Sequence, residues 1–191
     1  MRRPEGGPER AHHRGPGGVC AEAVERHCRL PVGWCRLVAT EQGLAAIDLP
    51  RQGAASHGEE QESAGPRSRA EALLDAVEEQ LRAFFRGDLQ VFDLPLDLGG
   101  VTAFQRAVLL ACARVPYGQV VSYGELARRA GFPGAARAVG QVMARNPLPL
   151  VVPCHRVIGS DGRLTGFGGG LALKERLLAM ERGIGAQGEE C

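Results

Sequence analysis

The sequence predicts an α+β protein, with a small N-terminal α/β domain built on a short antiparallel sheet and a mostly helical C-terminal domain. Two observations support this fold class. Strand-like segments flank a Gly-containing turn within residues 31–49, and helix-capping signals recur from residue 68 onward. The 191 residues, 44% of them hydrophobic, are enough to bury the core of one large domain or two small ones.

The first part of the chain is rich in Gly, Pro, Arg and Glu without periodicity, so we expect residues 1–29 to form a disordered tail. This tail has no apolar segment typical of a signal peptide, and no later run approaches the roughly 20 apolar residues of a membrane span. We therefore expect a cytoplasmic protein with no membrane partner. The six cysteines include no CxxC pair, and thiols stay reduced inside cells, so we expect no disulfides.

The N-terminal domain is predicted to span residues 30–97. Its segments VGWCRLVAT and LAAIDL flank the turn sequence EQG, which predicts a β-hairpin. The polar stretch 51–67 is expected to be a surface loop, and the Pro-interrupted segment 91–98 to be a linker between the domains. The C-terminal domain is predicted to span residues 98–185, followed by a tail over 186–191.

Three helix starts show the capping-box pattern, in which Ser or Thr is followed three residues later by Glu or Gln. The pairs are Ser68 with Glu71, Thr102 with Gln105, and Ser122 with Glu125. These helices should end at Gly87, before Pro116 and at Gly131, respectively. With a fourth helix over 135–145, the third outlines a helix-turn-helix of winged-helix type. An αα-hairpin without DNA contact has the same outline and remains the alternative.

The net charge of +1, from 23 basic and 22 acidic residues, conceals an uneven distribution. Residues 41–98 contain 12 acidic and 5 basic side chains, whereas residues 126–163 contain six Arg and a single Asp. Contact with DNA phosphates requires such a basic half, while a solvated basic face is the alternative. Of the 23 basic residues, 22 are Arg, and Lys174 is the exception.

The apolar segment 146–158 contains three chemically active residues in succession, Cys154, His155 and Arg156. Cysteine reacts as the thiolate, and a neighbouring imidazole and guanidinium are the groups that lower the pKa of a thiol. The combination predicts a nucleophile at Cys154. The alternative is a buried thiol beside a core histidine, and we accept that interpretation for Cys112 on the apolar stripe of its helix.

Four motifs in this order resemble the O6-alkylguanine-DNA alkyltransferase family, the methylated-DNA--protein-cysteine methyltransferases. They are VPYGQVVSYGELA at 115–127, AARAVGQVMARNP at 135–147, PCHRV at 153–157 and GFGGGLALKERLLAMERG at 166–183. The resemblance extends over about 31–183. It implies direct-reversal DNA repair by a monomer without a cofactor. An O6-alkylguanine, with O4-alkylthymine as a further candidate, is flipped out of double-stranded DNA and its alkyl group is transferred irreversibly to Cys154.

The resemblance also implies roles for residues around this cysteine. His155 is oriented by Glu181, and Tyr123 crowds the 3′ phosphate and donates to guanine N3. Because consecutive side chains rarely face each other in an extended chain, we expect His155 to reach the thiol of Cys154 through a water. Lys174 matches a lysine near the family's site. A lysine in a chain whose other basic residues are all arginines fits a role that a guanidinium group, because of its shape, could not fill. Arg156 matches an arginine of the PCHRV signature. Two roles are open for it: a structural one, in which it braces the two halves of the protein, and a catalytic one.

Further roles concern DNA and the substrate pocket. Arg137 matches the arginine that fills the space of the extruded base, and the small residues Ala135 and Ala136 allow the helix close to DNA. The implied pocket residues are Asn146 at the hinge before the active-site loop, Val157, Phe167 stacking on the base, and Gly168, whose amide donates to guanine O6. In relatives, Phe167 is often Tyr and Gly168 sometimes Ser.

We expect no metal. The family's zinc ligands after the first strand would fall on Thr40 and Ala45, which cannot bind zinc, and a site formed by Cys20, Cys28, Cys35 and His27 fits no common spacing. Among other functions, a non-catalytic lesion binder is the main alternative, although such proteins replace the cysteine. A cysteine hydrolase is a weaker candidate, because it needs a histidine distant in sequence and the other four histidines, at 12, 13, 27 and 57, lie in the predicted tail or the polar loop. A zinc-dependent deaminase is also weaker, because the PCxxC motif is missing.

Overall fold

The computed structural model describes residues 23–50 and 68–183 and has the predicted α+β fold. The N-terminal domain consists of β1 (Val24–Leu30), β2 (Gly33–Thr40), β3 (Gly43–Asp48) and α1 (Arg69–Arg86). The C-terminal domain consists of α2 (Ala103–Ala113), β4 (Val121–Ser122), α3 (Tyr123–Arg129), α4 (Ala136–Ala144), β5 (Val157–Ile158) and α5 (Leu171–Glu181), with a 3-10 turn at Cys154–Arg156. The predicted loop 51–67 and tail 186–191 lie outside the described residues.

The sheet has the order β1-β2-β3 and is antiparallel, so the predicted hairpin between β2 and β3 is confirmed. Strand β1 corrects the expectation of a tail over 1–29, because residues 24–29 pair with β2. Charged side chains hide its alternating pattern in the sequence. Arg36 of β2 forms ion pairs with Glu25 of β1 and Asp48 of β3, while Cys28 faces the core.

The predicted capping boxes are confirmed at α1 and α2, and Gly87 ends α1 in the left-handed conformation. At α3 only half of the box forms. The Ser122 side chain accepts from the Glu125 amide, but the Glu125 carboxylate pairs with Arg128 and Arg129 instead of returning to the cap. The helix-turn-helix comprises α3 and α4, and none of the helices in the described residues is long and apolar enough to cross a membrane.

Segment 91–98 is more than the linker that we predicted. Leu44 of β3 donates its amide to the Pro95 carbonyl at 2.8 Å, and its own carbonyl accepts from the Asp97 amide at 2.9 Å. The Thr40 hydroxyl donates to the Asp97 carboxylate at 2.7 Å. The segment therefore forms a strap along β3, and the strap satisfies backbone groups that an exposed sheet edge would leave open.

The two domains share one continuous apolar core, and two contacts connect the N-terminal domain to the active-site region. The Ile47 amide of β3 donates to the Pro147 carbonyl at 2.8 Å. The Phe84 ring of α1 packs edge-on against Tyr117 and His155, with centroid distances of 6.1 and 6.5 Å. Both contacts support the segments on either side of Cys154.

Replacing Gly43 by Ala should lower the free energy of unfolding by about 2–3 kcal/mol, because the strap leaves no room for a side chain. A Cβ at this position would lie 2.6 Å from the Pro95 carbonyl oxygen. Urea unfolding measures the loss. Gly87→Ala is the matched control, since its Cβ meets nothing within 4 Å and its left-handed backbone alone should cost about 1 kcal/mol. Equal losses in the two variants would show that the strap does not restrict Gly43.

Candidate active site

Asn146 shapes the loop that leads to Cys154. Its side-chain Nδ2 donates to the Val152 carbonyl at 2.8 Å, and its Oδ1 accepts from the Leu148 amide at 3.0 Å. Within this loop, the buried Leu150 has a left-handed φ of 75°. A branched side chain rarely adopts this conformation, so the packing and the Asn146 bonds hold the loop in a strained shape.

The buried carboxylate of Glu181 connects three segments of the site. It accepts from His155 Nε2 at 2.7 Å, from Arg156 Nε at 3.0 Å and Nη2 at 2.9 Å, and from the Gly118 amide at 3.0 Å. Burial by itself would raise the pKa of Glu181, but the bonds from His155 and Arg156 outweigh it and lower this pKa to about 2. Glu181 is therefore an anion throughout the physiological range.

His155 is fully buried, and burial lowers its pKa, so the imidazole is neutral at pH 7. Because an ionised carboxylate can only accept hydrogen bonds, Nε2 of the neutral imidazole carries the proton and donates to Glu181. The other nitrogen, Nδ1, is therefore unprotonated and can act as an acceptor. Nδ1 is buried and has no hydrogen-bond partner among the described residues. The site thus contains an oriented base whose lone pair is unused, next in sequence to the thiol.

Cys154 is 6% exposed, and burial raises the pKa of its thiol. The Asn146 side chain and the charge of Lys174 act in the opposite direction. This corrects the expectation that the imidazole and guanidinium of His155 and Arg156 lower the pKa, because both of these groups point to Glu181. The resting thiol is accordingly protonated and becomes a nucleophile only when a base removes its proton.

Lys174 is fully buried in α5, and burial lowers its pKa. Its Nζ donates to the Val157 carbonyl at 2.6 Å and to the Thr165 carbonyl at 3.0 Å. No carboxylate of the described residues lies within ion-pair distance of Nζ. Two converging carbonyls suit a compact ammonium group, whereas the planar, larger guanidinium does not fit them, which explains a lysine in an Arg-rich chain.

The glycine-rich segment 166–170 covers one side of the site. Phe167 lies edge-on to the His155 ring, with centroids 6.3 Å apart, and Gly168 is exposed with nothing within 4 Å of a Cβ. A Cβ at Gly169 would lie 2.6 Å from Leu173 Cδ2, and Gly170 has a φ of 87°. Packing and a turn therefore require these last two glycines.

The predicted DNA-contacting residues lie on α3 and at the start of α4. Arg137 is exposed, and Ala135 and Ala136 are half-buried beside it. The Tyr123 hydroxyl is 2.8 Å from Thr165 Oγ1. The predicted basic surface loses one member, since Arg156 is 4% exposed and is occupied by Glu181 and by the Val115 carbonyl. It braces the site and is unavailable to phosphates.

Sequence reasoning missed two contributors. Gly118 donates its amide to Glu181, and with a φ of 73° it has a backbone that few other residues tolerate. The Pro-Tyr-Gly turn at 116–118 was a detectable signal. Thr165 binds Tyr123 across 42 residues of sequence, and no local pattern indicates such a pairing.

The positions of the family's zinc ligands have other uses here. Thr40 binds Asp97, and Ala45 packs with Ala23 and Val38 in a small apolar cluster. Across residues 23–50 and 68–183, no group of three or more His, Cys, Asp or Glu is arranged to hold a metal ion. Cys20, from the weaker alternative metal site, lies outside the described residues.

Replacing Glu181 by Gln should lower the free energy of unfolding at pH 7 by about 3 kcal/mol, because buried Arg156 loses its counter-ion. The pKa of Glu181 is about 2 when folded, against an ordinary value of 4.5, so its ionisation stabilises the wild type above pH 4.5 and this stabilisation is lost as pH falls toward 2. The lowered pKa of His155 adds a loss of stability in the same direction below its ordinary value of 6.5. Urea unfolding should show a flatter acid limb for the variant between pH 4.5 and pH 3, while the loss of stability that begins below pH 6.5 and belongs to His155 should remain.

The control is Glu125→Gln, which removes a partly exposed carboxylate paired with Arg128 and Arg129 and should change stability little. An acid limb as steep in Glu181→Gln as in the wild type would contradict the assignment of this pH dependence to Glu181.

Two family models together match most of the described chain. Residues 24–98 match "6-O-methylguanine DNA methyltransferase, ribonuclease-like domain", and residues 103–183 match "6-O-methylguanine DNA methyltransferase, DNA binding domain". Among solved structures, "Crystal structure of Mycobacterium tuberculosis OGT in complex with DNA" is similar with a TM-score of 0.70 and 39% identity, covering 84% of this chain and 93% of that one.

Two curated relatives share the name methylated-DNA--protein-cysteine methyltransferase. The protein of Mycolicibacterium paratuberculosis is 57% identical over 111 residues, which are 58% of this chain and 66%, just under two thirds, of that protein. The protein of Methanosarcina barkeri is 39% identical over 160 residues, covering 79% of this chain and 92% of that protein. From these matches and the geometry above, the chain belongs to the 6-O-methylguanine DNA methyltransferase family.

Proposed function

We propose that this protein repairs DNA by direct reversal, moving the alkyl group of an O6-alkylguanine in double-stranded DNA to Cys154. The observation that supports this most is the unused acceptor, Nδ1, of a buried neutral His155 beside a buried thiol, on the same domain as a helix-turn-helix. The names of the relatives and the DNA complex of the similar mycobacterial structure support the substrate class.

The first step is removal of the thiol proton. We place one water between Cys154 Sγ and His155 Nδ1, because adjacent side chains of a tight turn do not face each other directly. The proton moves through this water to Nδ1, and the Glu181 carboxylate stabilises the resulting imidazolium. The buried ammonium of Lys174 and the Asn146 amide favour the thiolate once it forms.

The second step is an in-line displacement. The thiolate forms a bond to the alkyl carbon while the bond between this carbon and guanine O6 breaks, and the bonding electron pair leaves with the purine. Tyr123 donates a hydrogen bond to N3 of the leaving base, and the Gly168 amide donates to O6. The thioether product is stable and no group of the site reverses it, so each molecule acts once.

Extrusion of the base precedes this chemistry. Removing a base from the stack costs a few kcal/mol, and an inserted side chain must occupy the vacated space. Arg137 is exposed at the start of α4, and its small neighbours Ala135 and Ala136 allow the helix close to the backbone. We place the extruded base in a pocket formed by Asn146, Val157, Phe167 and Gly168, although Val157 presents little surface because it is fully buried.

We infer further that the protein acts in the cytoplasm as a monomer, needs no cofactor, and divides into domains near residues 97 and 98. O4-alkylthymine is a second candidate substrate. A non-catalytic lesion binder remains the competing function, and the retained, base-adjacent Cys154 argues against it.

Wild-type protein mixed with a duplex containing O6-methylguanine should gain one methyl group on the peptide that contains Cys154, and peptide mass spectrometry detects it. Cys154→Ser should bind the same duplex without modification. Cys112 is the internal control, since its thiol is fully buried on the apolar side of α2 and its peptide should stay unmodified. Tight lesion binding with an unmodified Cys154 in the wild type would favour the lesion binder.

Replacing Arg137 by Ala should slow repair of duplex DNA by about 100-fold. Without the arginine no side chain occupies the space of the extruded base, and leaving this space empty raises the free energy of extrusion by a few kcal/mol. Transfer from the free base O6-benzylguanine, which needs no extrusion, should stay near the wild-type rate. Arg86→Ala removes the same charge from the other domain and should leave both rates unchanged. Equal losses with duplex and free base would contradict an extrusion role for Arg137.

A further inference from the structure

We propose that Thr165 is a positioning residue that donates a hydrogen bond to the Tyr123 hydroxyl and thereby directs the tyrosine proton toward the leaving base. This inference rests on the proposed function. The observation behind it is the 2.8 Å separation of Thr165 Oγ1 and Tyr123 Oη, in which either atom can be the donor.

The backbone of Thr165 is held from the buried side. Its carbonyl accepts from Lys174 Nζ at 3.0 Å, and the same ammonium donates to the Val157 carbonyl of β5 at 2.6 Å. The side chain of Thr165 points the other way, into the exposed region where it meets Tyr123. Lys174 therefore fixes the position from which the threonine hydroxyl reaches the helix-turn-helix.

The Tyr123 hydroxyl has a single proton, which restricts how the pair can act. If this proton is donated to guanine N3, the tyrosine oxygen can only accept from Thr165, so the threonine must be the donor. A hydrogen bond received at Oη withdraws electron density and strengthens the bond that the tyrosine proton makes to N3. The pair is thus a two-bond relay that stabilises negative charge as it develops on the purine.

The ring of Tyr123 is supported separately from its hydroxyl. A Cβ at Gly140 of α4 would lie 3.8 Å from Tyr123 Cδ1, so the ring packs against the helix backbone at this position. Because α4 limits where the ring can go, the threonine bond mainly sets the direction of the O–H group. Losing that bond should therefore impair the chemical step more than the binding of DNA.

A double-mutant cycle in the full-length protein tests this role, with single-turnover kinetics on the O6-methylguanine duplex. Thr165→Val should slow the maximal transfer rate by about 5- to 10-fold, the effect of one ordinary hydrogen bond, at an unchanged half-saturating DNA concentration. Thr165→Ser keeps the hydroxyl and should restore the rate to within about 2-fold. In the Tyr123→Phe background, Thr165→Val should have no further effect.

Alkylation of Cys154 by iodoacetamide is the second measurement, because iodide leaves without a proton donor. Thr165→Val should react with iodoacetamide at the wild-type rate. Two results would overturn the positioning role and make Thr165 a structural residue. One is a slower reaction of Thr165→Val with iodoacetamide, and the other is an equal loss of transfer rate on Thr165→Val whether position 123 is Tyr or Phe. A wild-type protein that transfers nothing to Cys154 overturns the proposed function itself, so the two failures are distinct.

Discussion

The site depends on one buried carboxylate. A charge removed from water is tolerated only when its hydrogen-bonding capacity is used, and Glu181 achieves this with donors from two other segments, the 3-10 turn and the turn at Gly118. The turn before β4, the 3-10 turn with the nucleophile and the last turn of α5 are therefore fixed relative to one another. This anion fixes the tautomer of the His155 imidazole, holds the Arg156 guanidinium in place and accepts from the Gly118 amide in its turn.

The two buried cations of the site, Arg156 and Lys174, have different electrostatic roles. The planar fork of Arg156 meets Glu181 with two nitrogens and compensates its charge, while the ammonium of Lys174 meets two carbonyls and retains its influence on the thiol. These geometries are not interchangeable. A chain that otherwise uses arginine therefore needs a lysine at one position, and that position lies where a compact positive charge can favour a thiolate.

Local patterns predicted much of this fold because their physical causes are local. Capping boxes at Ser68 and Thr102 satisfy backbone donors within one helical turn, so sequence alone reveals them. Strand β1 was not predicted, because it is stabilised by pairing with β2, including the ion pair between Glu25 and Arg36, and its charged residues by themselves do not indicate a strand. Burial of Arg156 and the bond between Tyr123 and Thr165 also depend on distant segments, so a count of charges or a motif spacing does not reveal them.

The bond between the Ile47 amide and the Pro147 carbonyl joins the two domains through main-chain atoms alone. No side chain encodes it, and among single substitutions at position 47 only proline would delete its donor. Side chains of β3 can consequently be exchanged while the loop that leads to the nucleophile keeps this anchor. Phe84 of α1 is different, because its ring itself packs against His155 and a smaller side chain would remove that support.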